Sequence, residues 1–84
     1  MKRLDGALNF AHAAQWFAQA DELATAGSLD LSGVTHCDSA GVALLLDLHR
    51  RAHAQGRTLT LSQLPTAMRD LLRFFGVDKM LGIA

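Results

Sequence analysis

Residues 30–48 read DLSGVTHCDSAGVALLLDL, and the change of pattern inside this stretch decides the fold. Leu29 and Leu31 alternate with Ser28, Asp30 and Ser32, the two-residue period of a strand with one buried face. A polar turn follows at Ser32, Gly33, Thr35 and His36. The chain then passes through Asp38-Ser39-Ala40-Gly41 into Val42-Ala43-Leu44-Leu45-Leu46, an apolar run that suits a buried or half-buried helix. The stretch is therefore a strand, a loop and a helix start whose first turn is built from small and acidic residues.

That helix start is the candidate functional site. Asp38 or Ser39 can act as N-cap, its side-chain oxygen taking an unpaired amide of the first turn. Neither has Glu or Gln three residues later, so there is no capping box. If Asp38 is the cap, the Ser39 hydroxyl is free at the positive end of the helix dipole, a position suited to a reversible phosphoserine. If Ser39 is the cap, it is a structural serine and nothing more. Ala40 and Gly41 put almost no side chain beside it, which would let another protein's backbone come close.

Working outward, residues 4–10 alternate, with Leu4, Gly6, Leu8 and Phe10 on one face, and predict a half-buried strand. A helical period then runs from Ala11 to about Ala26 through Ala14, Phe17, Ala18 and Leu23, and Gly27 ends it. Trp16 falls off that line, either covering the helix edge or meeting a partner. The helix opening at Ser39 runs to about Ala54, and its stripe of Gly41, Leu44, Leu45, Leu48 and Ala52 should face the sheet. Val42 and Leu46 lie on a second line and are surplus to that face. They form an apolar contact patch beside Ser39 unless another helix covers them. Residues 57–62 alternate as a third strand, and Thr66 opens a last helix with Met68, Leu71, Leu72 and Phe75 inward, closed by Gly76. Phe74 points off that stripe, and the tail holds a short strand or turn at residues 80–83.

The order strand-helix-strand-helix-strand-helix predicts an α/β domain with a mostly parallel sheet of three to four strands. The second face of each strand is small and polar, so helices should lie mainly on one side of the sheet.

At 84 residues with half of them hydrophobic, the chain is one domain, residues 1–84, that folds only if most of the apolar side chains are inside. Its single cysteine, Cys37, precludes an internal disulfide and fits a reducing compartment. Net charge is zero with dispersed basic residues, which argues against nucleic acid as the partner. No apolar run approaches the roughly twenty residues of a membrane span, so a soluble, cytoplasmic chain without direct membrane insertion is expected. Near-zero charge also gives little protection against self-association.

Enzyme chemistry finds few players. His49 and His53 have metal-ligand spacing, but Arg50 and Arg51 stand between them and oppose a bound cation, so no metal is expected. There is no G-x-S-x-G elbow, no Walker-type loop, and the one glutamate is Glu22. A binding module without catalytic residues or cofactor is the consistent reading.

The run DLSGVTHCDSAGVALLL, with the later GRTLTL at residues 56–61, resembles the STAS domain, the module shared by sulfate transporters and anti-sigma factor antagonists. In that family a D-x-S turn ends a strand and D-S-x-G or D-T-x-G opens an apolar helix. Asp30, Ser32, Asp38, Ser39 and Gly41 fill those places here. The compact, Ala- and Leu-rich character is most similar to the small MlaB-like STAS subunit of the lipid-asymmetry ABC transporter. The resemblance implies a regulatory subunit docking on the ATPase of a phospholipid-transporting ABC complex, peripheral to the inner membrane through that partner. His36, Asp38, Ser39, Ala40, Gly41, Val42 and Leu46 would form the contact. The alternative it implies is an anti-sigma factor antagonist switched when a kinase-type anti-sigma factor phosphorylates Ser39. STAS domains generally carry a further strand before residues 4–10. Without it the first strand is an edge open to a second copy of the chain, unless the true start lies upstream of Met1.

Overall fold

The computed structural model describes residues 1–83. Three parallel strands, β1 (Lys2–Leu8), β2 (Ser28–Cys37) and β3 (Thr60–Ser62), form one sheet in the order β1-β2-β3. Helices α1 (Ala13–Ala18) and α2 (Ala20–Ala24) join β1 to β2, α3 (Ser39–Ala54) joins β2 to β3, and α4 (Thr66–Phe74) follows β3. This is the predicted alternation and strand direction.

β2 is longer than its sequence pattern predicts. The sequence pattern ends the strand at Ser32, but it runs on to Cys37, with Gly33, Val34, His36 and Cys37 paired to β1. Between Arg3 and Asp5 of β1 the partner residue advances from Asp30 to Gly33, and between Gly6 and Ala7 it advances from Val34 to His36. β2 thus carries an extra residue at each step, a bulge that shifts the phase of its side chains. Leu29, Leu31 and Val34 are the buried residues, and the spacing of three between the last two breaks the alternation. Gly33 stands at the first bulge because a side chain there would strike the Asp5 carboxylate and the Leu4 carbonyl oxygen.

α3 keeps its predicted bounds, and all five residues of its predicted inward stripe are buried. They meet Leu4 and Leu8 of β1, Leu29 and Leu31 of β2, and Ala20, Leu23 and Ala24 of α2 in one apolar core. Burying a leucine is worth about 1.5–3 kcal/mol, so this layer holds α3 on the sheet. The segment before β2 is less regular than the single helix expected. A 3₁₀ turn at Phe10–His12 precedes α1, and the helix breaks at Gln19 before α2.

Several inward assignments change. Phe10 lies beyond β1 and is 84% exposed, because the chain turns into the 3₁₀ segment after Leu8. Val42, assigned to a surface patch, is buried, and Leu46 packs half-buried against the same core. In α4, Met68 and Leu72 are buried, while Phe75 stays exposed and meets Phe74 edge to face. The tail forms a turn rather than a strand. The Ile83 amide donates to the Asp78 carbonyl at 2.8 Å, and Leu81 and Ile83 return to the core. Ala84 lies outside the described residues.

Candidate functional site

The site forms where β1 and β2 end and α3 begins. Asp38 is the N-cap of α3. Its Oδ1 accepts from the Ala40 amide at 2.8 Å and the Gly41 amide at 3.4 Å, satisfying two donors of the first turn. Its Oδ2 accepts from the Phe10 amide at 3.1 Å, and its own amide donates to the Leu8 carbonyl at 3.2 Å. The carboxylate therefore ties the start of α3 to the segment after β1. These amides favour the charged form, the Phe10 amide most of all, and hold the Asp38 carboxyl below its ordinary range against the opposing cost of desolvation.

With Asp38 as cap, Ser39 is the first residue of α3, exposed, and its hydroxyl has no hydrogen-bond partner among the described residues. Of the two capping assignments open from sequence, the one that frees Ser39 is the one adopted. His36 is exposed at the end of β2 and Ala40 is half-buried on the first turn.

Gly41 and Val42 are buried behind the exposed part of the helix start. A β-carbon on Gly41 would collide with the Leu8 carbonyl oxygen and lie 2.7 Å from the Cys37 sulfur. The glycine lets α3 pack directly on the backbone of β1, and Val42 is sealed in the core beside it. Leu46 lies a full turn further along α3 and is half-buried. Cys37, half-buried beneath the helix start and packed against the core, has its thiol pushed up to about 11 by burial and by the neighbouring Asp38 charge, which disfavours the thiolate.

Two aromatics join the site that the sequence pattern did not assign to it. Phe10 stands outward with its amide bound to Asp38. Phe17 is partly exposed and, with Asn9, Ala13, Trp16, Ala40 and Gly41, lines a crevice too shallow to hold a water molecule. The signal for Phe10 was available in Asn9, whose side chain caps the 3₁₀ turn by accepting from the His12 amide at 3.1 Å and so marks a break before Phe10. Trp16 is an edge residue, half-buried, with Nε1 donating to the Ala7 carbonyl at 2.8 Å. A separate cleft of about 150 Å³ between His49, Thr58, Thr60 and Met80 has no part in the helix start and is smaller than the roughly 300 Å³ of usual small-molecule sites. His49 and His53 stack at 6.4 Å at the far end of α3.

The arrangement is an exposed serine at a helix start capped by Asp38, with the exposed Phe10 tied by its amide to the same carboxylate. The sequence profile described as "MlaB, STAS domain" matches residues 3–82. The chain is a STAS domain. The fold agrees: the solved structure of the anti-sigma factor antagonist SpoIIAA in its unphosphorylated form is similar with a TM-score of 0.64 and 23% identity over 96% of this chain and 87% of that one. No functionally curated protein matches the sequence. STAS families are protein-interaction modules. No helix of the described residues is long and apolar enough to cross a membrane.

Proposed function

We propose that this STAS domain is a regulatory subunit that docks on the ATPase of a phospholipid-transporting ABC complex through the surface formed by His36, Ser39, Ala40 and Phe10. The observation that carries the reading is Phe10. A large apolar side chain with 84% of its surface exposed is held beside the helix start by a backbone bond to the capping carboxylate, and exposed aromatics at a fixed position are the usual anchors of an interface. The match to an MlaB-type family model supports this choice of partner class. Asp38 would position the surface, Ser39 would hydrogen-bond across it, and Gly41 and Val42 would hold it on the core.

A second reading rests on the Ser39 hydroxyl, which is exposed and unbonded at the first position of α3. A kinase-type anti-sigma factor could phosphorylate it, and the added charge would break the complex by repulsion and desolvation. Affinity purification of the tagged chain from its own cells, with mass spectrometry of partners and of Ser39, separates the two. An ABC ATPase with its permease and unmodified Ser39 is the expected result. A histidine-kinase-like partner with phosphate on Ser39 overturns it in favour of the switch. Binding assays add a second test: Ser39→Asp should abolish binding in the switch, while Ser39→Ala should be mild in the transporter complex.

A further inference from the structure

The net charge of zero conceals an uneven distribution. Residues 1–47 carry two cations and six acids, residues 48–84 carry six cations and two acids, and no acid lies between Asp47 and Asp70. The sheet order β1-β2-β3 puts the two halves toward opposite edges. Most acids of the first half are engaged: Asp5 with Arg3, Glu22 with Lys2, Asp21 and Asp47 with Arg51, and Asp38 at the helix cap. In the second half Arg57, Arg73 and Lys79 are exposed and form no ion pair among the described residues. The cleft beside β3 gathers part of this half on one surface, where His49 of α3, Thr58, Thr60 and Met80 meet. Arg57 directly precedes Thr58 and Lys79 directly precedes Met80, so both cations stand at its border.

We infer that this basic side rests on the surface of an anionic phospholipid bilayer. Charge divided between the halves of a chain is a mark of binding to a polyanion or a membrane, and the apolar residues decide between them. Met80 beside Lys79 and Phe74 beside Arg73 are exposed, at 59% and 83%. A bilayer takes such side chains at the boundary of headgroups and acyl chains while the neighbouring cations meet phosphates. An acidic peptide or a nucleic acid backbone supplies the charge but no apolar layer. The cleft, at about 150 Å³, is too small to extract a lipid, so the contact is with the surface. Each Lys or Arg at an anionic membrane adds roughly fivefold to binding, so Arg57, Arg73 and Lys79 together give roughly a hundredfold preference, reduced by Asp70 and Asp78. The association is peripheral, weak and sensitive to salt. It does not depend on the proposed function: the helix start and the Arg57 side lie at opposite ends of α3, a helix of 16 residues and so about 24 Å long.

Flotation of the full chain with vesicles of one-third phosphatidylglycerol in phosphatidylcholine tests it, against vesicles of phosphatidylcholine alone, with circular dichroism confirming that each variant is folded. At low salt the chain should float with the anionic vesicles and not with the neutral ones, and high salt should release it. Arg57→Glu and Lys79→Glu each reverse one charge at the cleft and should weaken binding by roughly tenfold or more. Arg3→Glu makes the same change of net charge on β1, at the other edge of the sheet, and should leave binding within about twofold of native. A chain that does not float with anionic vesicles overturns the inference, and so does equal binding to neutral ones. Equal losses from Arg3→Glu and Arg57→Glu would also overturn it, because net charge alone would then explain the binding. Capture by a polyglutamate peptide or by duplex DNA, without flotation, would give the cations to a different polyanion and end the membrane assignment.

Discussion

The two oxygens of the Asp38 carboxylate have different tasks. Oδ1 caps α3 through Ala40 and Gly41, and Oδ2 holds the Phe10 amide. An Asp38→Asn variant keeps an acceptor oxygen for the helix but puts a donor NH2 where the Phe10 amide needs an acceptor, so it should lower the melting midpoint by roughly 5 °C, the scale of one lost interaction in a domain of this size. The effect depends on pH with a definite sign. A carboxyl held below its unfolded value stabilises the fold above that value, about 4, and the contribution disappears as pH falls through the folded pKa. The advantage of the native chain over Asp38→Asn should therefore be full near neutrality and shrink below about pH 4, as thermal melts across that range will show. Gly41 carries a different constraint. Alanine favours a helix by about 1 kcal/mol over glycine, yet its β-carbon would meet the Leu8 carbonyl oxygen and the Cys37 sulfur. Gly41→Ala should accordingly lose about 1–3 kcal/mol in urea denaturation, the range for an overpacked core.

At the scale of elements, Trp16 joins α1 to the outer side of β1 with its ring half-buried and its Nε1 on the Ala7 carbonyl. Trp16→Phe keeps most of the apolar contact and removes the donor, and should cost about 1 kcal/mol in chemical denaturation. A loss near zero would mean that water replaces the indole at Ala7 without penalty. The same elements show what a sequence makes legible. α3 was readable to its last residue because each signal agreed: an Asp cap, an apolar stripe of helical period, and Gly56 just beyond the end, at φ 69°. β2 was readable only as far as Ser32. Its first bulge moves Val34 out of the alternating register and the second restores the phase only by Cys37, and a pairing with β1 that lies almost thirty residues away in sequence leaves no local mark. The break at Gln19 was hidden for the opposite reason, since a helical period continues across it. At the site, Asp38, Ser39 and Ala40 could be placed from local chemistry. Gly41 could be placed inward from its stripe, but the burial of Val42 could not, because it depends on how closely α3 approaches the rest of the fold.

The whole molecule keeps stability and recognition in separate places. Its core runs from Leu4 and Leu8 through Leu44, Leu45 and Leu48 to Leu72, while the proposed contact surface sits at the C-terminal ends of β1 and β2, where parallel sheets commonly place their ligands. A domain of this length has a total stability of roughly 4–12 kcal/mol. Leu48→Ala, at a fully buried position, should remove about 3 kcal/mol of it, lowering the urea midpoint markedly while partner affinity, measured at low temperature on the fraction that is folded, stays close to native. Phe10→Glu should do the reverse. The side chain is 84% exposed, so the fold loses little, but a charge now stands where an apolar anchor would be desolvated, and affinity should fall by roughly a hundredfold or more. Calorimetry for stability and titration against the purified partner separate the two effects. If Phe10→Glu bound normally, the surface around Ser39 would have to recognise its partner without its most exposed aromatic residue, and the docking face would need to be sought elsewhere on the molecule.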